Sequence, residues 1–398
     1  MKAKSVLIMT DSPNQTTGYG QVFNNVARHL TANGYDVNYV GLEHFGLPIW
    51  YMGTTDRMPE KPYKLYPRIG DNAYGFDMTE YYLKTLNPDY FITLCDIGLQ
   101  NGYISPIRDS KWRGKWIAYC AYDTESWNPN FFTPAHTPDA VVAMSKFAQK
   151  VITENSGGDI KYIPHGVDTT IFKPLVREKI KESSELPKFV VGAVGRNQIR
   201  KMWSKTIEGF GKFAEGKDDV LLLMHTEPNP ETPASEPRTD AGWSILDLLV
   251  KHKLNGKAKF TITNPSVTGR YQVGPKQMNV YYNMMDVFGF LTGGEGFGLP
   301  SLEAQSAGSV LATTNYTTGP ELCGDHGYLV DVASKWTGSI GIEWAIANTD
   351  HYAKILEELY SNKDKLKEKQ KQARAFAVEN YDWETKVCPM WVKLLESL

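Results

Sequence analysis

Two glutamates, Glu295 and Glu303, stand eight residues apart in the glycine-rich stretch GGEGFGLPSLEAQSAG, residues 293–308. Three glycines in it, Gly294, Gly296 and Gly298, precede a helical pattern, and a turn of this kind suits phosphate. Carboxylates repel phosphate, so a plain phosphate site does not account for the two acids.

The elements around this stretch are a strand, a turn and a helix. An apolar run at 287–291 precedes the glycines, and Pro300 takes a position typical of a first helical turn. This order directs unbonded N–H groups and the positive end of the helix dipole at a ligand. The stretch matches neither G-x-G-x-x-G nor the P-loop. Glu303 by itself is equally well explained as an acid that stabilises the helix dipole. That explanation does not extend to Glu295.

A second group of candidate residues lies in VGAVGRNQIRKMW, residues 191–203. A strand ends there in Gly195, and Arg196 and Lys201 follow five residues apart. A guanidinium fork and an ammonium both suit diphosphate oxygens. Taken alone, the second stretch is explained equally well as an exposed loop whose basic side chains are solvated. Together, however, the two stretches predict a ligand with a central diphosphate and flanking hydroxyls, which is a nucleotide sugar.

The positioning elements alternate in the β-α-β manner of a parallel, doubly wound sheet. Predicted strands of the first half lie at 5–10, 36–42, 90–95, 116–122 and 140–144, and those of the second half at 189–194, 220–224, 259–263, 287–291, 310–314 and 328–330. We therefore predict an α/β protein with two Rossmann-like domains facing a cleft. The predicted ranges are 1–173 for the acceptor domain, 174–187 for a charged linker, 188–380 for the donor domain and 381–398 for a helix returning to the first domain.

Length and charge fit this organisation. The 398 residues suffice for two domains, and 43 basic against 45 acidic residues give no general attraction to nucleic acid, although a local basic patch would escape this count. No stretch reaches the roughly 18 apolar residues of a membrane span. The four cysteines form no C-x-x-C pair, which favours thiols in a reducing compartment and predicts a cytoplasmic protein.

The motifs resemble those of retaining glycosyltransferases of family four, which have the GT-B fold. The family's E-x7-E corresponds to Glu295 and Glu303, and its G-R-x4-K to Gly195, Arg196 and Lys201, although Met202 replaces the glycine that usually follows. IPHGVDTTIFKP, residues 163–174, resembles the family's hinge segment, with a histidine where asparagine is common. TTGYGQVFNNVARHL, residues 16–30, is similar to its first loop and helix.

This resemblance implies a role for each matching residue. Arg196 and Lys201 would bind the donor diphosphate, Glu303 the ribose, and Glu295 the transferred sugar together with nearby N–H groups. Those N–H groups belong to Gly296, Phe297, Gly298 and Leu299. The first loop, Gly18, Tyr19 and Gly20, would approach donor and acceptor, and His165 would belong to the hinge. The resemblance implies no metal and no cofactor other than the nucleotide-sugar co-substrate.

One departure from the family concerns catalysis. Members often carry a histidine in the first domain near the reacting sugar carbon, whereas IAYCAYDTESWNPNFF, residues 117–132, contains none. Asp123 is the nearest polar candidate and Glu125 the second, although Asp123 is equally suited to cap the following turn. Retention of configuration is thus implied by the family and not by a nucleophile in the sequence.

We therefore predict a metal-independent, retaining hexosyltransferase that uses a nucleoside-diphosphate sugar. Alternatives are a GT-B sugar-nucleotide epimerase, a phosphorylase, and a non-catalytic sugar-nucleotide-binding subunit. The acceptor is left open among a glycan, a small molecule, a protein and DNA. Aromatic residues at 43–82, interleaved with Lys61, Lys64 and Arg68, suit sugars or bases but also ordinary packing.

Overall fold

The structure is a computed structural model that describes residues 3–15, 17–52, 61–126, 128–228, 242–261, 273–338 and 341–398. The chain forms two compact units. The first comprises Met1–Tyr122, Trp127–Gly166 and Tyr381–Leu398, and the second comprises Asp123–Ser126 and Val167–Asn380. Within the described residues, no helix combines the length and the apolarity required to cross a bilayer.

The first unit is built on an eight-stranded sheet with helices between its strands. Its first half contains β1 (Ser5–Thr10), α1 (Gly18–Ala32), β2 (Asp36–Gly41), β3 (Ile49–Tyr51), β4 (Tyr63–Tyr66) and α2 (Phe76–Leu86). There follow β5 (Tyr90–Asp96), α3 (Asn101–Ser110), β6 (Lys115–Ala121), then β7 (Glu125–Ser126) of the second unit, β8 (Ala140–Ala143), α4 (Lys146–Ser156) and β9 (Ile160–Tyr162). The strand order is β3-β4-β2-β1-β5-β6-β8-β9. Every pair is parallel except β3 with β4.

Local sequence explains the first helix of this unit. Thr17 precedes α1, and its side-chain oxygen accepts a hydrogen bond from the N–H of Gly20, which satisfies one of the donors that a helix start leaves open. Val22, Val26 and Leu30 recur at helical spacing and are fully buried against the sheet. The helix starts at Gly18, within the stretch 16–30 that resembles the family's first loop and helix.

The second unit is built on a six-stranded parallel sheet. Its elements up to the glycine turn are α5 (Arg177–Ser183), β10 (Phe189–Val194), α6 (Trp203–Phe213), β11 (Val220–His225), α7 (Ile245–Lys251), β12 (Ala258–Phe260), α8 (Pro275–Met284) and β13 (Val287–Phe290). The rest are α9 (Leu299–Ser306), β14 (Val310–Thr314), α10 (Gly319–Cys323), β15 (Tyr328–Val330), β16 (Val332–Thr337), β17 (Ile342–Ala347), α11 (Thr349–Ser361) and α12 (Lys363–Tyr381). The main order is β12-β11-β10-β13-β14-β15.

A small antiparallel sheet, β16-β17-β7, completes the second unit. The hairpin β16–β17 was not predicted, because β16 is mostly exposed and lacks the alternation of a half-buried strand. Its third strand, β7, comes from Asp123–Ser126, a segment that lies within the predicted first domain. That short segment joins the second unit because Glu125 and Ser126 pair with Glu343 and Ile342 of β17.

The segment predicted as a linker, 174–187, is instead part of the second unit. It contains α5, and Arg177 donates hydrogen bonds to the carbonyl oxygens of Met285 and, at 2.9 Å, of Ala307. These bonds satisfy carbonyls at the ends of α8 and α9 and fasten the segment to the sheet unit. The predicted strand 259–263 is observed as β12, and residues 262 and 263 lie outside the described part.

The end of the chain, Tyr381–Leu398, belongs to the first unit. A π-helical turn at Trp383–Val387 leads into α13 (Cys388–Ser397). Trp391 packs with its ring centroid 5.5 Å from Phe23 and 5.0 Å from Tyr119. The Tyr90 hydroxyl donates a 2.7 Å hydrogen bond to the Leu395 carbonyl. Burial of aromatic rings on this scale stabilises the attachment by several kcal/mol, about 1.5–3 per side chain.

Candidate functional site

The glycine turn predicted to hold a phosphate joins β13 to α9 in the second unit. Gly298 has φ 101°, a left-handed conformation that favours glycine, and Pro300 stands in the first turn of α9. A Cβ at Gly294 would lie 2.1 Å from the carbonyl oxygen of Asp123, so no larger residue fits there. The turn thus brings the start of a helix, the positive end of its dipole, to the carboxyl end of a parallel strand.

Glu295 and Lys201 form an ion pair at this turn. The Lys201 Nζ donates to Glu295 Oε1 at 2.5 Å, and the two side chains are only 14% and 17% exposed. Burial alone would raise the pKa of Glu295, but Lys201 and Arg200 outweigh it and lower the pKa below its usual range. Glu295 is therefore an ionised carboxylate with a mostly buried cation beside it.

Arg200 joins the same cluster, a contribution that the sequence did not reveal. Its Nη1 lies 3.3 Å from Glu295 Oε2 and also donates to the Gly294 carbonyl, while its Nε lies 3.1 Å from Asp123 Oδ2. In addition, the Arg200 carbonyl accepts from the N–H of Gly293 at 2.8 Å. In the sequence Arg200 is one of three basic residues in a loop, and nothing there distinguishes it from a solvated side chain.

Asp123 therefore does not act as a turn cap. Its carboxylate meets Arg200, and the residues after it form β7 instead of a turn. The Thr124 hydroxyl accepts from the N–H of Glu343 at 3.1 Å, and the N–H of Glu125 donates to the Tyr316 hydroxyl at 3.0 Å. The antiparallel sheet thus holds Asp123 beside the glycine turn. Glu125, the second candidate, instead pairs with Lys335 on the hairpin.

Glu303 stands on α9, in a more apolar setting than Glu295. The Tyr282 hydroxyl donates to its Oε2 at 2.7 Å. Burial raises the pKa of Glu303 to about 7, although the hydrogen bond from Tyr282 opposes the shift. Near neutral pH this carboxyl thus exchanges between an acceptor-only form and a form that also donates a hydrogen bond. Its partner Tyr282 was not singled out from the sequence.

Three other predicted site residues make their described contacts outside the ion-pair cluster. The Arg196 side chain is exposed and, within the described part of the chain, makes no ion pair; its carbonyl accepts from the Trp203 indole at 3.1 Å. Gly195 directly follows β10, and a Cβ there would lie 3.0 Å from the Phe290 ring. Phe297 is buried, and its carbonyl accepts from Thr318 Oγ1 at 2.8 Å.

Two further predictions fall in the first unit. Gly18, Tyr19 and Gly20 open α1, and a Cβ at Gly20 would lie 2.5 Å from the Ser12 carbonyl oxygen. His165 is 2% exposed with its ring 5.7 Å from that of Tyr119, and burial lowers its pKa to about 3. His165 is accordingly a neutral, packed side chain at neutral pH.

Potential metal ligands do not converge at this site. Across the ranges that the structure describes, no three histidine, cysteine, aspartate or glutamate side chains gather as ligands of a metal ion would. The cluster at the glycine turn instead pairs two cations with two carboxylates.

Comparison with known proteins relates the chain to solved structures only. No protein-family model and no curated protein sequence matches it. Sucrose-phosphate synthase from Thermosynechococcus elongatus superposes with a TM-score of 0.77 at 14% identity, covering 99% of this chain and 98% of that one. HepE from Anabaena, solved with UDP and glucose, gives 0.71 at 14% identity over 99% and 100% of the two chains. A glycosyltransferase from Rickettsia africae gives 0.69 at 18% identity over 100% and 98%.

These similarities extend over whole chains at low sequence identity, and at such identity they establish the fold alone. Parallel sheets in two Rossmann-like units and the match to full-length glycosyltransferase structures agree with the predicted architecture. The protein has the GT-B fold.

Proposed function

We propose that the protein transfers a hexose from a nucleoside-diphosphate sugar to an acceptor hydroxyl, with retention of configuration and without a metal ion. The observation that carries the proposal is the mostly buried Lys201–Glu295 pair at the glycine turn before α9. A phosphate site alone has no use for an ionised glutamate, whereas a nucleotide sugar presents both phosphate oxygens and hydroxyls.

Lys201 is assigned to the diphosphate. An ammonium group has three N–H donors, so Lys201 can keep its bond to Glu295 while it donates to phosphate oxygens. Arg196 extends from the same loop as an exposed guanidinium and would reach the diphosphate from the solvent side. Negative charge grows on the departing diphosphate, and fixed cations with the positive end of α9 stabilise it there.

Glu295 is assigned to the transferred sugar. As an ionised carboxylate it accepts hydrogen bonds from sugar hydroxyls, and the N–H groups of Gly296, Phe297, Gly298 and Leu299 are assigned to the same donor. Glu303 is assigned to the ribose hydroxyls, for which its ionised form is the stronger acceptor. In this arrangement the two glutamates bind opposite ends of one donor and the cations bind its middle.

The donor base and sugar are proposed as uridine and glucose for the first experiments. The structurally similar HepE was solved with UDP and glucose, which supports UDP-glucose as the initial probe. Retention, membership of family four and independence of metals come from the motif resemblance. We also propose that the protein acts in the cytoplasm, because its four cysteines are free thiols.

The test is a panel of UDP-, GDP-, ADP- and TDP-hexoses, measured by thermal shift and by release of nucleoside diphosphate in the presence of EDTA. A bound donor at 100 times its dissociation constant should add about 2.7 kcal/mol to the free energy of unfolding. Water or an added sugar would serve as acceptor, and proton NMR of the first product would give its anomeric configuration. Turnover abolished by EDTA would contradict metal independence, and an inverted product would contradict retention.

Donor-only incubations separate the alternatives. Conversion of the donor into a different sugar nucleotide would indicate an epimerase, and dependence on inorganic phosphate a phosphorylase. Tight donor binding with no turnover on any acceptor would indicate a binding subunit. If no donor binds and none reacts, the proposed function is contradicted altogether.

A further inference from the structure

Arg200 connects three separate stretches of the second unit. Its guanidinium contacts Asp123 Oδ2 at 3.1 Å, Glu295 Oε2 at 3.3 Å and the carbonyl oxygen of Gly294, and its own carbonyl accepts from the N–H of Gly293. The Arg200 side chain is 21% exposed, so these contacts are shielded from bulk water to a large extent. Both the main chain and the side chain of one residue therefore fasten the glycine turn.

Together, Arg200 and Lys201 hold both oxygens of the Glu295 carboxylate. Lys201 contacts Oε1 and Arg200 contacts Oε2, so rotation of the carboxylate about its last bond would break one of two ion pairs. Asp123 supplies a second negative charge, and the cluster of two cations and two carboxylates is neutral. An arginine suits this place because its planar fork donates in several fixed directions, whereas a lysine ammonium is a point charge.

We propose that Arg200 is a positioning residue: it fixes the Glu295 carboxylate toward the transferred sugar and ties the Asp123 segment to the glycine turn. This inference rests on the proposed function and extends it to a residue that the E-x7-E and G-R-x4-K motifs treat as a spacer. Arg200 contacts neither donor nor acceptor in this proposal; it acts through Glu295 and Asp123.

The segment that contains Asp123 has attachments of its own. Glu125 and Ser126 pair with β17, and Thr124 and Glu125 bond to Glu343 and Tyr316. Loss of the Arg200 side chain therefore leaves β7 in its sheet and the turn intact, while the Glu295 carboxylate gains freedom to rotate. Because misplacement of a reacting group by about 1 Å can reduce the rate about 100-fold, the expected defect is catalytic and not a loss of folding.

The experiment measures kcat and the donor KM of Arg200→Ala and Arg200→Lys with the full-length protein. For Arg200→Ala we expect kcat to fall about 100-fold and the donor KM to change less than about threefold. Added guanidinium at tens of millimolar should restore part of the kcat of Arg200→Ala. Arg200→Lys should stay defective, since it keeps the charge and loses the fork. Arg196→Ala, assigned to the diphosphate, should instead raise the donor KM.

Contrary results are equally specific. Wild-type kcat in Arg200→Ala or Arg200→Lys, a defect confined to KM, or no recovery with guanidinium would overturn the positioning role. If Arg200→Ala fails to fold by circular dichroism, Arg200→Lys alone decides, because full activity in it excludes a need for the fork. If Lys201→Ala and Glu295→Gln are inactive while Arg200→Ala is fully active, this inference is overturned and the proposed function stands. An inactive wild-type protein on every donor would overturn both.

Discussion

Glu303→Gln should stabilise the protein at pH 8 and have little effect at pH 5. Burial raises the pKa of Glu303 in the folded state to about 7, from an ordinary value of 4.5. A group whose pKa is raised by folding contributes stability below its unfolded pKa, and this contribution is lost as the pH rises through the folded pKa. The unprotonated, half-buried carboxylate of the wild-type protein therefore lowers its free energy of unfolding at pH 8. Glutamine has a similar shape, can accept from the Tyr282 hydroxyl and carries no charge.

The magnitude follows from the difference in pKa. A shift of about 2.5 units corresponds to about 3 kcal/mol at a pH above both values, since one unit is worth about 1.4 kcal/mol. At pH 5 the same relation gives a loss of less than about 1 kcal/mol in the free energy of unfolding. The gain of Glu303→Gln over the wild type should therefore grow by about 2–3 kcal/mol between pH 5 and pH 8, an upper estimate because the side chain is not fully shielded.

The assay is urea denaturation of both proteins at pH 5, 6, 7 and 8, followed by fluorescence and circular dichroism. Glu154→Gln, which changes a carboxylate 60% exposed on α4, is the matched control and should shift the midpoint little at any pH. A Glu303→Gln effect of equal size at pH 5 and pH 8 would refute the assigned pKa. If Glu303→Gln destabilises the protein more at pH 8 than at pH 5, the upward direction of the Glu303 pKa shift is refuted.

Three further results are expected. Donor affinity of the wild-type protein should fall about tenfold from pH 8 to pH 6 as Glu303 takes up a proton, and calorimetry of Glu303→Gln should show no such dependence. Gly294→Ala should lower the free energy of unfolding in urea by about 1–3 kcal/mol, because its Cβ would meet the Asp123 carbonyl. Gly274→Ala, which has open space around its Cβ, should lower it little. Equal effects of the two substitutions would contradict the close approach. Arg177→Ala should lower the free energy of unfolding by about 2–4 kcal/mol, because the Ala307 carbonyl loses its donor and the Met285 carbonyl keeps only the Ser309 hydroxyl. Exposed Lys179→Ala should lower it by less than about 0.5 kcal/mol, and similar midpoints would contradict the anchoring role of Arg177.

Much of the architecture was predictable because buried parallel strands appear as continuous apolar runs. Strands β1 and β10 were predicted at their observed bounds, and the alternation of strands and helices indicated two doubly wound units. The hairpin β16–β17 and the two-residue β7 were missed. Their residues are mostly exposed or partly exposed, and β7 exists only because another part of the chain pairs with it.

The candidate site was predictable in part for a similar reason. Glu295 and Lys201 could both be assigned to one donor site from the sequence, because glycines and strand ends place the two stretches at one sheet edge, although their ion pair was not predicted. Arg200 could not, because its partner Asp123 is 77 positions earlier and nothing local marks either residue as a contact. The raised pKa of Glu303 was equally invisible, since it depends on burial against the fold. The roles assigned to the predicted site residues, Glu295, Lys201 and Glu303 included, stay predictions.

The most direct measurement of the central claim is the initial rate of nucleoside-diphosphate release from a sugar nucleotide by the wild-type protein, Lys201→Ala and Glu295→Gln. Lys150→Ala, which removes a cation 73% exposed on α4, is the control. The proposed site predicts rates at least about 100-fold lower in the two site variants, with melting temperatures near that of the wild type and an unchanged rate in the control. Wild-type rates in both site variants would show that the Lys201–Glu295 pair does not carry the reaction.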